Sequence, residues 1–191
     1  MRFARHNVYV RNLEFKTRLD DPKAALARAR ALGAELWGDL RQTDTYFNVP
    51  SGRLKLRETA GLQAELIAYE RDEDAADRTT DYHIARTTDP AALLDVLTRS
   101  LGVIAVVRKR RTLVTLDTTR IHLDNVEQLG SFLEIEVIVG EDEAAAKARF
   151  DSLLAGLGYM LADGIRASYL DLLSNCKGKP GLEVREIPRR R

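Results

Sequence analysis

In "LGSFLEIEVIV", residues 129 to 139, Glu134 and Glu136 stand two apart inside an otherwise apolar run. A strand sends alternate side chains to opposite faces, so both carboxylates point one way while Leu133, Ile135 and Val137 point the other. Other stretches carry charge in the same alternating manner. "GRLKLRE" groups Arg53, Lys55 and Arg57 against Leu54 and Leu56, and "VRKRRTL" groups Lys109 with Arg111, opposite Arg108 and Arg110. "NLEFKTR" groups Asn12, Glu14, Lys16 and Arg18 against Leu13 and Phe15. "TRIHLDNV" groups Arg120, His122 and Asp124 against Ile121 and Leu123. Paired carboxylates are hard oxygen ligands for Mg²⁺ or Mn²⁺. Arginine and lysine pair with phosphate oxygens, arginine through two parallel bonds. Such rows suit the handling of a polyphosphate together with a divalent cation.

The plain alternative is a solvated sheet face, which also carries charge. Solvated faces usually mix signs, because like neighbours repel across strands. Here one strand offers three cations, another two, and a third two carboxylates. Segregation of this kind is costly unless something bound compensates it, and a polyphosphate with its metal would do so.

These rows need a sheet with one charged and one oily face. Strand periodicity marks residues 8–18, 44–48, 53–58, 63–71, 80–86, 104–116, 119–125 and 131–139, separated in places by turn formers such as "PSG" at 50–52. Three helices announce themselves by their ends. "DDPKAALARARALGAEL" has Asp21 before Pro22, apolar positions out to Leu36 and Gly33 near its close; "DPAALLDVLTRSLG" has Asp89, Pro90 and Gly102. "EDEAAAKARFDSLLAGLG" starts acidic and stops at Gly156 or Gly158, and "ASYLDLLSN" makes a shorter fourth helix. Runs of strands broken by few helices predict an antiparallel α+β protein. The pattern reads as a single domain over residues 1–174, followed by a flexible basic tail over 175–191.

The chain has 191 residues, with 30 basic and 29 acidic side chains and a formal charge of +1. No overall basic field draws it to nucleic acid or an anionic membrane, and no stretch approaches the ~20 apolar residues of a membrane span. The triple arginine at the end, without interleaved aromatics, gives only weak, salt-sensitive attraction to nucleic acid. The single cysteine, Cys176, excludes an internal disulfide and fits a reducing compartment, so a cytoplasmic location is expected. A homodimer is compatible with the pattern.

Taken in order, "NLEFK", "GRLKLRE", "VVRKRR", "IHLDNVEQLGSFLEIEV" and "SYLDLL" resemble the CYTH superfamily, named for bacterial class IV adenylyl cyclases and thiamine triphosphatases. The resemblance runs from about Val10 to Leu173, and "QTDTYF" with "LGSFLEIEV" is more similar to the class IV cyclases. It implies an antiparallel, eight-stranded closed β-barrel with flanking helices, whose lumen holds a nucleoside or inorganic triphosphate with Mg²⁺ or Mn²⁺. Glu14 and Lys16 match the last two positions of the family's ExExK signature, and Asn12 replaces its first glutamate. Arg53, Lys55 and Arg57 match the first basic strand, Lys109 and Arg111 the second. Asp124, Glu134 and Glu136 match acidic metal positions. The resemblance therefore implies Glu14, Lys16, Lys109 and Arg111 as catalytic residues and Glu14, Asp124, Glu134 and Glu136 as metal ligands. Lys16, Arg18, Arg53, Lys55, Arg57, Arg71, Lys109, Arg111 and Arg120 would bind substrate. The implied reaction is ATP to cyclic AMP and pyrophosphate. The alternatives are hydrolysis of inorganic, thiamine or nucleoside triphosphate, and polyphosphate binding without turnover, which Asn12 favours.

Some residues remain outside this scheme. His122 shares a face with Arg120 and Asp124, within reach of ligand or metal, although a lone histidine is more often structural. Tyr169 matches a family position where the last helix meets the tunnel end. Trp37, Phe47 and Phe132 read as core.

Overall fold

The computed structural model describes residues 8–71 and 79–177. Its helices begin where the sequence supplies caps. Asp21 accepts from the backbone N–H of Lys23 and Ala24 and opens α1 (Pro22–Ala31). Asp89 accepts from Ala92 and opens α2 (Pro90–Leu101), and Asp142 accepts from Ala145 and opens α3 (Glu143–Leu157). The last helix, α4 (Tyr169–Lys177), carries the chain two residues beyond the expected "ASYLDLLSN". Residues 175–177 are therefore helix and not tail, and the rest of the expected tail lies outside the described residues.

Eight strands make the frame: β1 (Val8–Arg18), β2 (Glu35–Phe47), β3 (Arg53–Thr59), β4 (Ala64–Arg71), β5 (Thr79–Thr87), β6 (Val103–Leu116), β7 (Thr119–Val126) and β8 (Gly130–Ile138). They close into one antiparallel barrel in the order β1-β5-β4-β3-β2-β6-β7-β8. Closure leaves no open edge and encloses a lumen. Among the described residues no helix is long and apolar enough to cross a membrane.

One expected boundary fails. Leu36 belongs to β2, not to the first helix, because Gly33 at φ +94° ends α1 and the chain enters the sheet at Glu35. Glycine alone adopts that backbone without strain. From there β2 pairs with β6, from Glu35↔Thr115 to Phe47↔Val103, so the long neighbour fixes as strand a stretch whose local composition suits a helix. The register skips from Leu36↔Val114 to Gly38↔Leu113, leaving Trp37 as an extra residue in a β-bulge.

The outward face of the barrel is the oily one. Phe15, Ile121, Leu133, Ile135 and Val137, each at most 1% exposed, pack under α1 and α3 with Ala29, Phe150 and Leu154. Phe47, Leu56 and Ala64 pack under α2. Phe132, Tyr169 and Leu173 form a third cluster with Tyr46, Tyr69 and Val107, bringing α4 against one end of the barrel. Phe47 and Phe132 are core as expected, whereas Trp37 is 55% exposed.

Candidate functional site

The strand parity that buries leucines outside turns charges inside, around a cavity of about 900 Å³. Among the described residues, eight basic and six acidic side chains line it. Two clusters organise them, meeting where Lys109 and Arg111 sit side by side on β6.

The first cluster surrounds Asp44 of β2, which is 1% exposed. Arg57 grips it through two bonds, Nε to Oδ1 at 2.7 Å and Nη2 to Oδ2 at 2.8 Å. Lys55 Nζ donates to Oδ2 at 3.2 Å, and Lys109 Nζ lies 3.5 Å from the same oxygen. One carboxylate thus faces three cations. Burial would raise Asp44, but Arg57, Lys109 and Lys55 hold it well below the usual carboxylate range. Burial and the neighbouring Arg57 push Lys55 down to about 7 against the pull of Asp44. Burial and Arg111 push Lys109 down as well. The rings of Tyr46 and Tyr69 lie 5.5 and 5.4 Å from the Lys55 ammonium.

The second cluster joins β1, β7 and β8. Lys16 Nζ pairs with Glu134 Oε1 at 3.1 Å, and Arg111 Nη2 pairs with Glu134 Oε2 at 2.7 Å. Arg120 Nη2 pairs with Glu136 Oε2 at 2.9 Å. Burial would raise both glutamates, but Lys16 and Arg111 hold Glu134 well below its usual range, and His122 and Arg120 hold Glu136 at about 2. The Asn12 amide satisfies both its neighbours when its oxygen is assigned toward Arg120, accepting from Nη2 at 3.2 Å, and its nitrogen toward the Arg11 carbonyl. The neutral residue at the first signature position thus shares the arginine that pairs with Glu136. Glu14 accepts from Thr80 at 3.1 Å and from the Tyr82 hydroxyl. His122, Glu134 and Glu136 each offer a donor atom, all within 4.8 Å of one another.

The sign-segregated rows seen in the sequence therefore compensate one another across the lumen: cations of β1, β6 and β7 meet carboxylates of β8. The expectation that only a bound ligand could balance them does not hold for this second cluster. In the first, three cations face the single carboxylate of Asp44.

Of the expected site residues, Glu14, Lys16, Lys55, Arg57, Lys109, Arg111, Arg120, Glu134 and Glu136 line the cavity. Asp124 does not. Arg111 clamps it, Nε to Oδ1 at 2.7 Å and Nη2 to Oδ2 at 2.6 Å, and the Tyr169 hydroxyl donates to Oδ2 at 3.0 Å. Asp124 is thus placed behind Arg111, orienting it. Arg53 reaches α4, where it pairs with Asp171 at 3.0 Å and donates to the Ser168 hydroxyl. Arg18 is exposed beyond the cavity, donating to the Leu129 carbonyl at 2.6 Å and lying over the Phe132 ring. Arg71 ends β4, and its side chain lies outside the described residues.

Asp44 was not singled out from sequence. The signal was there: "QTDTYF" alternates Gln42, Asp44 and Tyr46 with Thr43, Thr45 and Phe47, and an acid on an otherwise lumen-facing row is as telling as the lysines. Trp37, with Leu40, Leu62 and Leu113, forms an apolar stretch of the cavity wall. The bulge reverses strand parity at that point, hiding Trp37 from any period-two reading.

Comparison with known proteins agrees with this geometry. The model of the CYTH domain matches residues 11–169. The PH1012 protein of Pyrococcus horikoshii is 24% identical, with a TM-score of 0.75 over 84% of this chain and 98% of that one. A candidate adenylate cyclase from Vibrio parahaemolyticus is 22% identical, with a TM-score of 0.72 over 85% and 97%. A candidate adenylyl cyclase from Hippeastrum, with a dominant triphosphatase activity, is 16% identical, with a TM-score of 0.59 over 88% and 98%. At these identities the likeness is one of fold. No curated protein sequence matches the chain.

Proposed function

This chain belongs to the CYTH domain family, and from that premise we propose a divalent-metal-dependent enzyme of the class IV adenylyl cyclase type. It takes a nucleoside triphosphate into the tunnel and converts ATP to cyclic AMP and pyrophosphate. The observation that carries this reading is the charge excess at Asp44: three cations face one carboxylate, and the two buried ones, Lys55 and Lys109, are held below their ordinary pKa by burial and by neighbouring arginines. A buried site short of negative charge fits a polyphosphate chain.

Each group then has a task. Lys55, Arg57, Lys109 and Arg111 hold phosphate oxygens and neutralise charge developing on the departing pyrophosphate. Asp44 and Asp124 keep the two arginines extended in the lumen through bidentate pairs. Glu134 and Glu136 suit a divalent cation, since two adjacent carboxylates supply hard oxygens and the nearest Arg120 contact on Glu136 is at Oε2, with Oε1 toward His122. Mg²⁺ or Mn²⁺ held there would lower the pKa of the ribose 3′-hydroxyl and screen the α-phosphate. The 3′-hydroxyl gives up its proton to solvent water, its oxygen bonds to the α-phosphorus, the bond to the bridging oxygen breaks, and pyrophosphate leaves with the electron pair. The apolar wall at Trp37, Leu40, Leu62 and Leu113 suits the organic end of such a ligand.

Hydrolysis of the triphosphate is the second reading. The similarity to the Hippeastrum protein, in which triphosphatase activity is dominant, favours it: the same carboxylate pair and cation would activate water against the terminal phosphorus. Incubation with ATP, thiamine triphosphate or inorganic tripolyphosphate, each with Mg²⁺ or Mn²⁺, separates the readings by product. Cyclic AMP with pyrophosphate is expected; orthophosphate alone selects hydrolysis, and saturable binding without product removes the enzymatic reading. Glu136→Ala should lower turnover at least ~100-fold while the variant still folds, as checked by circular dichroism. Undiminished activity in that variant overturns the metal assignment.

A further inference from the structure

The three lumen-side residues of β7 meet different fates. Arg120 pairs with Glu136, and Asp124 is consumed by Arg111 and Tyr169. His122 lines the cavity with its side chain only 3% exposed, and among the described residues its Nδ1 has no hydrogen-bond partner. Buried polar atoms are nearly always paired, so an orphan nitrogen aimed into a site marks a missing partner. Its nearest acidic atoms are Glu134 Oε2 and Glu136 Oε1, each at 3.7 Å, too far for a hydrogen bond.

That spacing suits three donors around one ion. With donors about 2.1 Å from a metal, neighbouring ligands sit roughly 3 Å apart and opposite ones about 4.2 Å. The donor atoms here lie within 4.8 Å of one another, so slight closure of the side chains completes the set. The cations already on Glu134 and Glu136 do not preclude this, since each carboxylate oxygen has two lone pairs, and the nearest Arg120 contact on Glu136 is at Oε2 while Oε1 lies toward His122. Asn12 sharpens the point. It brings no charge to the first signature position and turns its oxygen to Arg120, so the metal must find another donor there.

We propose that His122 is a metal ligand through Nδ1, making a mixed His122–Glu134–Glu136 centre that selects Mn²⁺ over Mg²⁺. Imidazole binds first-row transition ions well, whereas Mg²⁺ demands oxygen ligands and keeps its waters. The inference rests on the metal-dependent reading above and adds the identity of a nitrogen ligand and the metal preference that follows.

The test is metal binding to the full chain without nucleotide. Calorimetric titration with Mn²⁺ and with Mg²⁺ should show tighter Mn²⁺ binding by at least tenfold in the unaltered protein. His122→Asn should weaken Mn²⁺ at least tenfold and Mg²⁺ by less than threefold, while His122→Asp should narrow the gap by favouring Mg²⁺. Electron spin-echo spectra of the unaltered protein with Mn²⁺ should carry ¹⁴N modulation from a bound imidazole, a readout that stands even where a variant fails to fold. Absence of ¹⁴N modulation, or equal effects of His122→Asn on both ions, overturns the histidine assignment alone. If the unaltered protein binds neither ion, or Glu136→Gln leaves binding unchanged, the metal-dependent reading falls with it.

Discussion

Lys55 shows how a single buried charge can be set by its surroundings to respond to a ligand. Burial and Arg57 depress its pKa to about 7, far below the ordinary lysine value, although Asp44 pulls the other way. Between about pH 7 and the ordinary lysine range, the folded chain therefore holds fewer protons at this position than the unfolded chain. On account of this group, stability rises with pH across that window and is lost as pH falls through it toward 7. A phosphate beside Lys55 restores the ammonium form, so binding at pH 8 should take up a proton. Titration of the protein with tripolyphosphate in buffers of different ionisation enthalpy should show uptake approaching one proton per ligand, absent in Lys55→Met; zero uptake in the unaltered protein would remove Lys55 from the anion site. Asp124 carries a second prediction at this scale. It orients Arg111 from outside the cavity, so Asp124→Asn should weaken triphosphate binding while leaving metal affinity within threefold. Breaking a buried ion pair typically costs about 3–5 kcal/mol, so the variant should also melt lower. A loss of metal binding as large as that of Glu136→Ala would instead make Asp124 a ligand.

At the scale of elements, β2 decides what the tunnel can accept at its apolar wall. A strand without interruption would send Trp37 outward; the bulge between Leu36 and Gly38 brings it onto the cavity wall beside Leu40. Trp37→Ala should raise KM for ATP about tenfold, in keeping with the ~1–3 kcal/mol of a base stacked on an aromatic ring. Tripolyphosphate, which has no organic end, should be handled unchanged. Equal losses with both substrates would mean that Trp37 supports the wall without touching the ligand. The same strand marks how far the amino-acid pattern can be read. Alternation alone separated Leu133, Ile135 and Val137 from Glu134 and Glu136, because period two is a local property; that the charged face lines a lumen came from the resemblance to the CYTH family. Alternation reached Lys55, Arg57, Lys109 and Arg111 for the same reason. It could not reach the first half of β2, whose helix-compatible residues are held as strand by pairing with β6, nor the bulge. Nor could it say that Asp124 would be spent on Arg111, since which carboxylate meets which cation depends on register between strands distant in the chain. Arg53 and Arg18 carry the right parity but sit where the barrel meets α4 and the Leu129 turn, so position along the strand, not face, takes them from the lumen wall.

For the molecule as a whole, closing the barrel forces cations into one interior. Lys109 illustrates the cost: its side chain is 2% exposed, Arg111 and Arg57 oppose its charge, and its carboxylate partner Asp44 lies 3.5 Å away and is already held by two other cations. Removing it leaves Asp44 paired with Lys55 and Arg57, so the free protein should gain from the substitution. Lys109→Met should stabilise the unliganded chain by about 1–2 kcal/mol, or roughly 2–8 °C for a protein of this size. The same change should erase the effect of ligand. Saturating tripolyphosphate at about 100 times Kd stabilises the unaltered protein by about 2.7 kcal/mol through mass action, and Lys109→Met should show almost none of that shift. Thermal denaturation of both proteins with and without tripolyphosphate gives the four melting temperatures required. A variant that melts lower when free and still gains the full increment from ligand would mean that Lys109 serves the fold, and that excess charge in the lumen is not what awaits an anion. The expected crossing, a variant more stable alone and indifferent to ligand, is the behaviour of a barrel whose interior trades stability for binding.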